Sequence, residues 1–352
     1  MTLSEFYRGK KVLVTGSTGF KGAWLVRILT LMGAQVTGYA LDPPTDPSFF
    51  DILKLEETID QVKGDIRDLA ALGETFRRVQ PEIVFHLAAQ PIVRESYEEP
   101  VYTYETNVMG TVNVLECARL TESVRSLVNV TTDKVYLNRE WEYGYRENER
   151  LDGYDPYSNS KSCSELVTAS YRRSFFGEDR RSCAISTCRA GNVIGGGDFA
   201  KDRIIPDCVR AALAKEEVIL RNPHSIRPYQ HVLDPLLVYL MVAMEQWKHP
   251  ELQGSYNVGP DDCDCVETGK LAELFCRFWG RGMSWRSVRE DGPHEANFLK
   301  LDCARIRRTF GWEPKLHIDE AIRETVAWTK AWAAGEDMRA VTDEQIREAL
   351  DD

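Results

Sequence analysis

The sequence predicts an α/β fold: a doubly wound parallel sheet with a smaller, discontinuous α+β lobe. Two observations predict it. Short apolar runs alternate with helical stretches through the first half of the chain, and a G-x-x-G-x-x-G loop joins the first run to the first helix. Alternation of that kind implies right-handed β-α-β crossovers and therefore parallel strands.

Lys11–Thr15 (K-V-L-V-T) reads as a buried strand, and a helix follows from about Phe20 to Met32. Gly33 suits the C-cap of that helix, and Gln35–Leu41 is the next strand. Further strands are expected near Ile59–Lys63, Ile83–Leu87, Ser126–Thr131 and Cys183–Arg189. Helical patterns fall between them, notably Tyr102–Cys117 and Ser158–Arg173. Beyond Arg189 the regularity weakens. Gly195-Gly196-Gly197-Asp198 breaks it, and Pro, Arg and His gather between Arg221 and His231. A strand end plus a helix fits His231–Met244, one more strand fits Ser255–Val258, and helical segments run to about Trp332. Asp337–Asp352 is charged and is expected to be a loosely attached helix.

The 352 residues suffice for one large domain or two modest ones. With 43% apolar and 28% charged residues, the composition is that of a water-soluble globular protein. No run approaches the ~20 apolar residues of a membrane helix. Met1–Lys11 lacks the apolar stretch and cleavage site of a signal peptide, so the expected location is cytoplasmic, away from membranes. A net charge of −11 argues against nucleic acid as a partner, because phosphate backbones are held by clustered Lys and Arg. The nine cysteines include no C-x-x-C pair, and Cys263 and Cys265 have no nearby His at zinc spacing. They are read as reduced thiols, and no metal is expected.

The segment Val14-Thr15-Gly16-Ser17-Thr18-Gly19-Phe20-Lys21-Gly22 follows a strand and opens a helix. Glycine permits the tight turn and lets backbone approach a pyrophosphate, which then sits at the positive helix N-terminus. Three turn glycines would explain the spacing alone; their place after the first strand favours a Rossmann-type dinucleotide site. Asp42 closes the second strand, where a carboxylate bonds the ribose hydroxyls of NAD and repels a 2′-phosphate. No Arg or Lys lies between Asp42 and Asp51, so NAD is the expected cofactor, although Asp42 also suits the turn before Pro43-Pro44.

Tyr157-Ser158-Asn159-Ser160-Lys161 places a Tyr and a Lys on one helix face at i, i+4. A nearby ammonium stabilises phenolate, so a Tyr with a usual pKa near ~10 becomes a candidate base. The pattern gains weight from the glycine loop that precedes it.

Longer stretches carry a resemblance: Thr18–Gly22, Gly64–Arg67, His86–Pro91, Asn107–Thr111, Thr132–Lys134, Asn138–Trp141, Gly144–Glu149, Gly153–Lys161, Arg189–Asp198 and Pro293–Ala296. From about Lys11 to Trp332 the chain resembles the extended short-chain dehydrogenase/reductase family. Within that family it is most similar to the sugar-nucleotide 4,6-dehydratases, in the branch acting on CDP-glucose. The resemblance implies the roles that follow. Gly16, Thr18, Gly19, Phe20, Gly22, Asp42, Asp65, Ile66, Ala88, Gln90 and Asn107 would line the NAD groove, with Asp65 and Ile66 flanking the adenine. Tyr157 and Lys161 would complete that groove and form the redox centre. Thr132 would bond the sugar O4, and Asp133 would protonate the departing C6 hydroxyl. Arg94, Asn192, Arg203, Arg227, Asn257 and His294 would bind the nucleotide sugar, an Arg making charge-assisted bonds to its phosphates.

The implied reaction is an internal redox cycle: oxidation at C4, loss of water across C5 and C6, and hydride return to C6. Lys134 stands where many relatives carry a Glu base. It either removes the C5 proton, which requires a neutral amine, or stabilises the enolate beside the C4 ketone as a cation. A bare ion pair with Glu140 or Glu142 is the bland alternative. His86, inside an apolar strand, is read as a satisfied core residue. The loop Asn138–Gly153 either covers the sugar or packs on another subunit. The resemblance also implies a homodimer through Tyr102–Cys117 and Ser158–Arg173, or a dimer of dimers. Residues 1–190 and 230–259 are assigned to the NAD domain, 191–229 and 260–335 to the nucleotide-sugar lobe, and 336–352 to a tail. Two other functions share parts of the pattern. A sugar-nucleotide 4-epimerase needs the glycine loop, Tyr157 and Lys161 but no acid at C6, and a non-catalytic NAD-binding scaffold needs only the fold.

Overall fold

Alternate residues of each central strand leave on opposite faces, so a run such as Val12-Leu13-Val14 feeds two cores at once. In the computed structural model, which describes residues 1–176, 183–288 and 298–351, that rule organises the molecule. Helix α1 (Leu3–Tyr7) precedes β1 (Lys11–Thr15), α2 (Phe20–Leu31), β2 (Gln35–Ala40), α3 (Phe49–Ile52), β3 (Asp60–Lys63), α4 (Leu69–Val79) and β4 (Ile83–His86). Then come α5 (Val93–Glu98), α6 (Pro100–Tyr104), α7 (Gly110–Leu120), β5 (Ser126–Thr132), α8 (Pro156–Phe175) and β6 (Ala184–Ala190). The remainder is β7 (Val193–Ile194), α9 (Ile204–Ala214), β8 (Val218–Leu220), β9 (Ile226–Pro228), β10 (Gln230–His231), α10 (Leu233–Lys248) and β11 (Ser255–Val258). It closes with β12 (Cys265–Glu267), α11 (Thr268–Trp279), β13 (Trp285–Ser287), α12 (Ala304–Phe310), α13 (Ile318–Ala334) and α14 (Met338–Asp351).

Seven strands pair in the order β11-β6-β5-β4-β1-β2-β3, and every pairing is parallel. The chain reverses direction across the sheet between β1 and β4, and the crevice beyond their C-terminal ends is where such sheets bind ligands. Val12, Val14, Phe85 and Val128 face α2 and α10, while Leu13, Val84 and Leu127 face α4 and α7. A separate apolar cluster joins α9, α11 and α13 through Ile205, Leu271, Phe275 and Ile322. Residues 299–306 pack instead on the sheet side, with Leu301 and Ile306 in the main core.

Two elements depart from the sequence reading. The expected helix Tyr102–Cys117 is broken: Glu105–Met109 forms a wider π turn between α6 and α7. The interruption carries Asn107, whose amide bonds Ser160 Oγ at 2.9 Å and Gln90 O at 3.0 Å. The C-terminal helix is docked rather than loose. Met338 and Ile346 enter the main core, Trp328 donates to Thr342, and Arg27 Nε bonds Asp343 at 2.7 Å. Its charges hid from the sequence reading a stripe that faces Trp328 and α2.

Candidate active site

The loop after β1 is shaped by contacts only glycine tolerates. Gly16 has φ +74°, and a Cβ there would lie 2.7 Å from Ala88 N. A Cβ on Gly22 would lie 2.0 Å from Gly16 O, whereas Gly19 has room. The turn presents the N-terminus of α2 to the crevice. Thr18 Oγ1 donates to Leu41 O at 3.0 Å, tying the loop to the end of β2. Phe20 lies against the 195–198 turn, 3.3 Å from where a Gly195 Cβ would stand.

Asp42 lies just past β2 and is 73% exposed, with Lys63 Nζ 2.6 Å away. That cation lies outside residues 42–51 in sequence and is brought alongside by the parallel pairing of β2 with β3. Asp65 is bonded by Arg67 through backbone and guanidinium. Burial works against its charge, but the Arg67 bonds prevail and hold its carboxyl below the usual value. Ile66 is buried against Gly110. Gln90 and Asn107 bond each other and brace the exit of β4 against α8. His86 is the satisfied core residue the sequence implied. Its ring lies 2.7 Å from Thr15 Oγ1 and 3.1 Å from Thr111 Oγ1, and burial pushes its pKa down to about 3.

Beyond the end of β5 the chain turns through Asp133–Val135, while Asp155 caps α8 by accepting from Ser158 N at 2.9 Å. These two devices bring Thr132, Asp133, Lys134, Tyr157 and Lys161 together. Thr132 Oγ1 donates to Asp133 Oδ1 at 2.9 Å and also bonds Tyr157. Lys134 Nζ lies 3.4 Å from both Asp133 Oδ1 and Asn192 Oδ1, so its partner is Asp133 rather than Glu140 or Glu142. Asp133 is fully buried, yet its Oδ2 finds no hydrogen-bond partner among the described residues. A buried carboxylate oxygen left unbonded is costly and marks a site built for something else.

The Tyr157–Lys161 pair differs from expectation. Burial pushes Tyr157 up to about 12; its Thr132 bond and the Arg203 charge oppose that shift. Lys161 is brought down to about 8 by burial, against the pull of Glu165, and donates to Val130 O at 3.1 Å. Its ammonium is anchored to the strand rather than to the phenol.

On the far side, Arg203 bonds Asp198 Oδ2 at 3.0 Å, and Arg94 lies 3.8 Å from Asp202. Arg227 is buried on β9. Asn257 is wholly buried, with its side chain committed: Nδ2 donates to Tyr145 O and Asp302 O, and Oδ1 accepts from Tyr136. That makes it a brace for the 136–147 segment, where the resemblance implied a sugar-diphosphate contact. His294 lies outside the described residues. The loop after Tyr136 folds onto its own chain, Tyr145 pairing with Leu301 and stacking on Tyr136. Cys263, Asp264 and His317 converge within 4.8 Å, which sequence spacing could not show, and His317 is engaged with Asp264 at 2.9 Å.

Sequence reasoning left out two members of the site. Glu165, at i+4 from Lys161, pairs with Arg189 at 2.8 Å beneath the redox pair. Its helical spacing was the available signal. Lys21, inside the glycine motif, feels the charges of Lys161, Arg203, Asp133 and Lys134.

Comparison with known proteins places the whole chain. Residues 13–325 match the model of the family described as GDP-mannose 4,6 dehydratase. The CDP-glucose 4,6-dehydratase of Salmonella typhimurium is 48% identical over 350 residues, covering 98% of each chain. A probable dTDP-glucose 4,6-dehydratase of Sinorhizobium fredii is 28% identical, over 90% of this chain and 92% of that one. The UDP-glucose 4-epimerase of Thermus thermophilus, solved with NAD, superposes with a TM-score of 0.76 at 25% identity, covering 91% of this chain and 98% of that one. On its sequence match and on the architecture that positions these side chains, the chain belongs to the GDP-mannose 4,6 dehydratase family.

Proposed function

We propose that the chain is an NAD-dependent nucleotide-sugar 4,6-dehydratase whose substrate is CDP-glucose. One observation carries the chemistry: Asp133, held by Thr132 and Lys134, keeps one buried oxygen without a partner among the described residues, beside Tyr157. An oxidoreductase acting at C4 alone has no use for a buried acid there. The 48% identity to a CDP-glucose 4,6-dehydratase supports the cytidine nucleotide. NAD would lie across the glycine loop with its ribose hydroxyls toward Asp42 and its nicotinamide end toward Lys161. There it supplies reversible hydride acceptance.

The chain's own groups do the rest. Tyr157 takes the O4 proton while Thr132 bonds O4. The phenol's high pKa in the free site means that bound positive charge is needed to activate it. Asp133, as the acid, protonates the C6 hydroxyl when water leaves. Lys134, 3.4 Å from Asp133 Oδ1, stabilises the enolate as an ammonium while water takes the C5 proton, and Asp133 acts in its protonated form. Arg203, Arg94 and Arg227 line the approach for the diphosphate. Residues Val101, Met109 and Leu166 leave an apolar surface on α6, the π turn and α8, which supports pairing with a second copy. None of the described helices is long and apolar enough to cross a membrane.

The test is incubation of the purified protein with CDP-, dTDP-, GDP- and UDP-glucose, followed by NMR of the products. A CDP-4-keto-6-deoxy sugar is expected. An epimerised hexose would replace this reading by the 4-epimerase, and absence of turnover with every substrate would leave the scaffold.

A further inference from the structure

Beyond β11 the chain turns through Asp262–Asp264 before it enters β12. Three acids gather at this turn, and two of them are balanced by cations from elsewhere. Asp261 pairs with Arg307, and Asp262 lies 3.6 Å from Lys300 Nζ. Asp264 is the most buried of the three, at 3% exposure, and takes no Lys or Arg partner among the described residues. Its Oδ1 accepts from Ile318 N at 2.9 Å, which ties it to the start of α13. Its Oδ2 is left to two exposed neighbours, His317 Nδ1 at 2.9 Å and Cys263 Sγ at 3.7 Å. A buried carboxylate with no permanent counter-charge is costly, and a cation held on Oδ2 relieves that cost.

Thiol sulfur, imidazole nitrogen and carboxylate oxygen are the donors that zinc and its neighbours in the first transition row take. Magnesium and calcium are not suited, because they call for oxygen ligands alone. Cys263 Sγ, Asp264 Oδ2 and His317 Nδ1 all lie within 4.8 Å of one another. A tetrahedral ion with bonds of ~2.0–2.3 Å sets its ligand atoms about 3.3–3.6 Å apart, so the exposed Cys263 and His317 side chains need to shift by about 1 Å. Cys265 is not one of the donors, since its thiol is directed to Asp261 O at 3.8 Å. His317 stands 53 positions from Asp264, which is why no local zinc spacing marks the site in the sequence.

We propose that Cys263, Asp264 and His317 form a binding site for one divalent ion of the zinc type, with water in the fourth position. The ion enters between Nδ1 and Oδ2. The Cys263 thiol gives its proton to solvent, and the imidazole carries its own on the exposed Nε2. Bound in this way, the ion clips the turn before β12 to the N-cap of α13. Val266 of β12 pairs with Arg227 of β9, and Trp328 of α13 closes against Gly196. The clip is therefore structural. It joins two elements that frame the lobe beside the crevice and touches none of the reacting groups.

The experiment uses the full chain, reduced and freed of metal with a chelator, as parent, C263S, H317A and C265S. Zn2+ is titrated by calorimetry and Co2+ by absorption, and neither reading needs turnover or depends on the dehydratase assignment. One ion per chain is expected. Co2+ should give a thiolate charge-transfer band in the near ultraviolet and the strong visible bands of four-coordination. C263S should abolish the charge-transfer band, C263S and H317A should each weaken Zn2+ by about tenfold to a hundredfold, and C265S should bind like the parent. Zn2+ should also raise the melting temperature of the parent by a few degrees through mass action, and that of H317A by less. Absence of saturable Zn2+ binding below about 100 µM would overturn the proposal. So would a charge-transfer band that survives C263S, or parental affinity in H317A. Circular dichroism checks that H317A is folded, and H317Q takes its place if the start of α13 is disturbed.

Discussion

Two buried acids, Glu165 on α8 and Asp133 in the turn after β5, have opposite surroundings. Glu165 is enclosed by donors: Arg189 at 2.8 Å, Thr187 at 2.7 Å, and Thr131. Burial opposes its charge, yet the Arg189 ion pair and these hydroxyls hold its pKa below the usual carboxylate value. Asp133 is equally buried but receives only Thr132 and Lys134, both on Oδ1, and its Oδ2 is unbonded among the described residues. A saturated buried charge fixes geometry, because moving it breaks several bonds at once. An unsaturated one stores a cost that a ligand can relieve. Glu165 therefore reads as scaffold beneath the site, and Asp133 as chemistry within it.

The sharpest test of the contrast is Asp133→Asn. Dehydration should fall by about two to four orders of magnitude, the range of a positioned acid, while the melting temperature stays level or rises, since a poorly solvated charge is removed. A variant with full dehydration rate would sink the acid assignment. Glu165→Gln should behave in the opposite manner. It leaves Arg189 buried without its counter-charge, at about 3–5 kcal/mol by denaturant unfolding. Retention of parental stability would show that the network is not scaffold.

Lys134 sharpens the comparison from the cationic side. If it acts as a charge, Lys134→Arg keeps most of the rate and Lys134→Met loses about tenfold to a hundredfold. If it is the C5 base, both variants fail alike, because Arg does not deprotonate. Deuterium exchange at C5 in the product separates the two.

Asp234 could break the comparison, for its Oδ2 is also buried and unbonded among the described residues. It lies in the first turn of α10, accepts from Lys315 N at 3.1 Å, and is pushed up to about 6 by burial. Because the folded pKa exceeds the unfolded one, the folded state binds the extra proton. Its contribution to stability is fully present below pH 4 and is lost as pH rises through about 6. Asp234→Asn should thus stabilise the protein at pH 8 by about 1–2 kcal/mol and leave kcat unchanged. A loss of activity would mean that an unbonded buried oxygen does not by itself distinguish chemistry from strain.

How much of this was legible in the sequence follows from the range of each interaction. β1 and β11 were placed to the residue, and the other sheet strands to within one, because parallel strands buried on both faces are apolar runs bounded by turns. Gly16 and Gly22 were legible because a turn that close excludes any Cβ, and Tyr157 and Lys161 because a helix fixes an i, i+4 pair. The identity of Thr132, Asp133 and Lys134 as a group came from motif resemblance.

What the sequence determined by itself was the sheet, the glycine turn after β1 and the helix that pairs Tyr157 with Lys161, all set by local periodicity and turn sterics. Only the tertiary structure decided the electrostatics. Burial raised Tyr157 and lowered Lys161, and strand pairing brought Lys63 to Asp42. Packing turned Asn257 inward as a brace, docked α14, and set Lys21 within the field of Lys161, Arg203, Asp133 and Lys134. The physical reason is that a pKa or an ion pair depends on neighbours distant in sequence and on the water they exclude, and no local pattern records either.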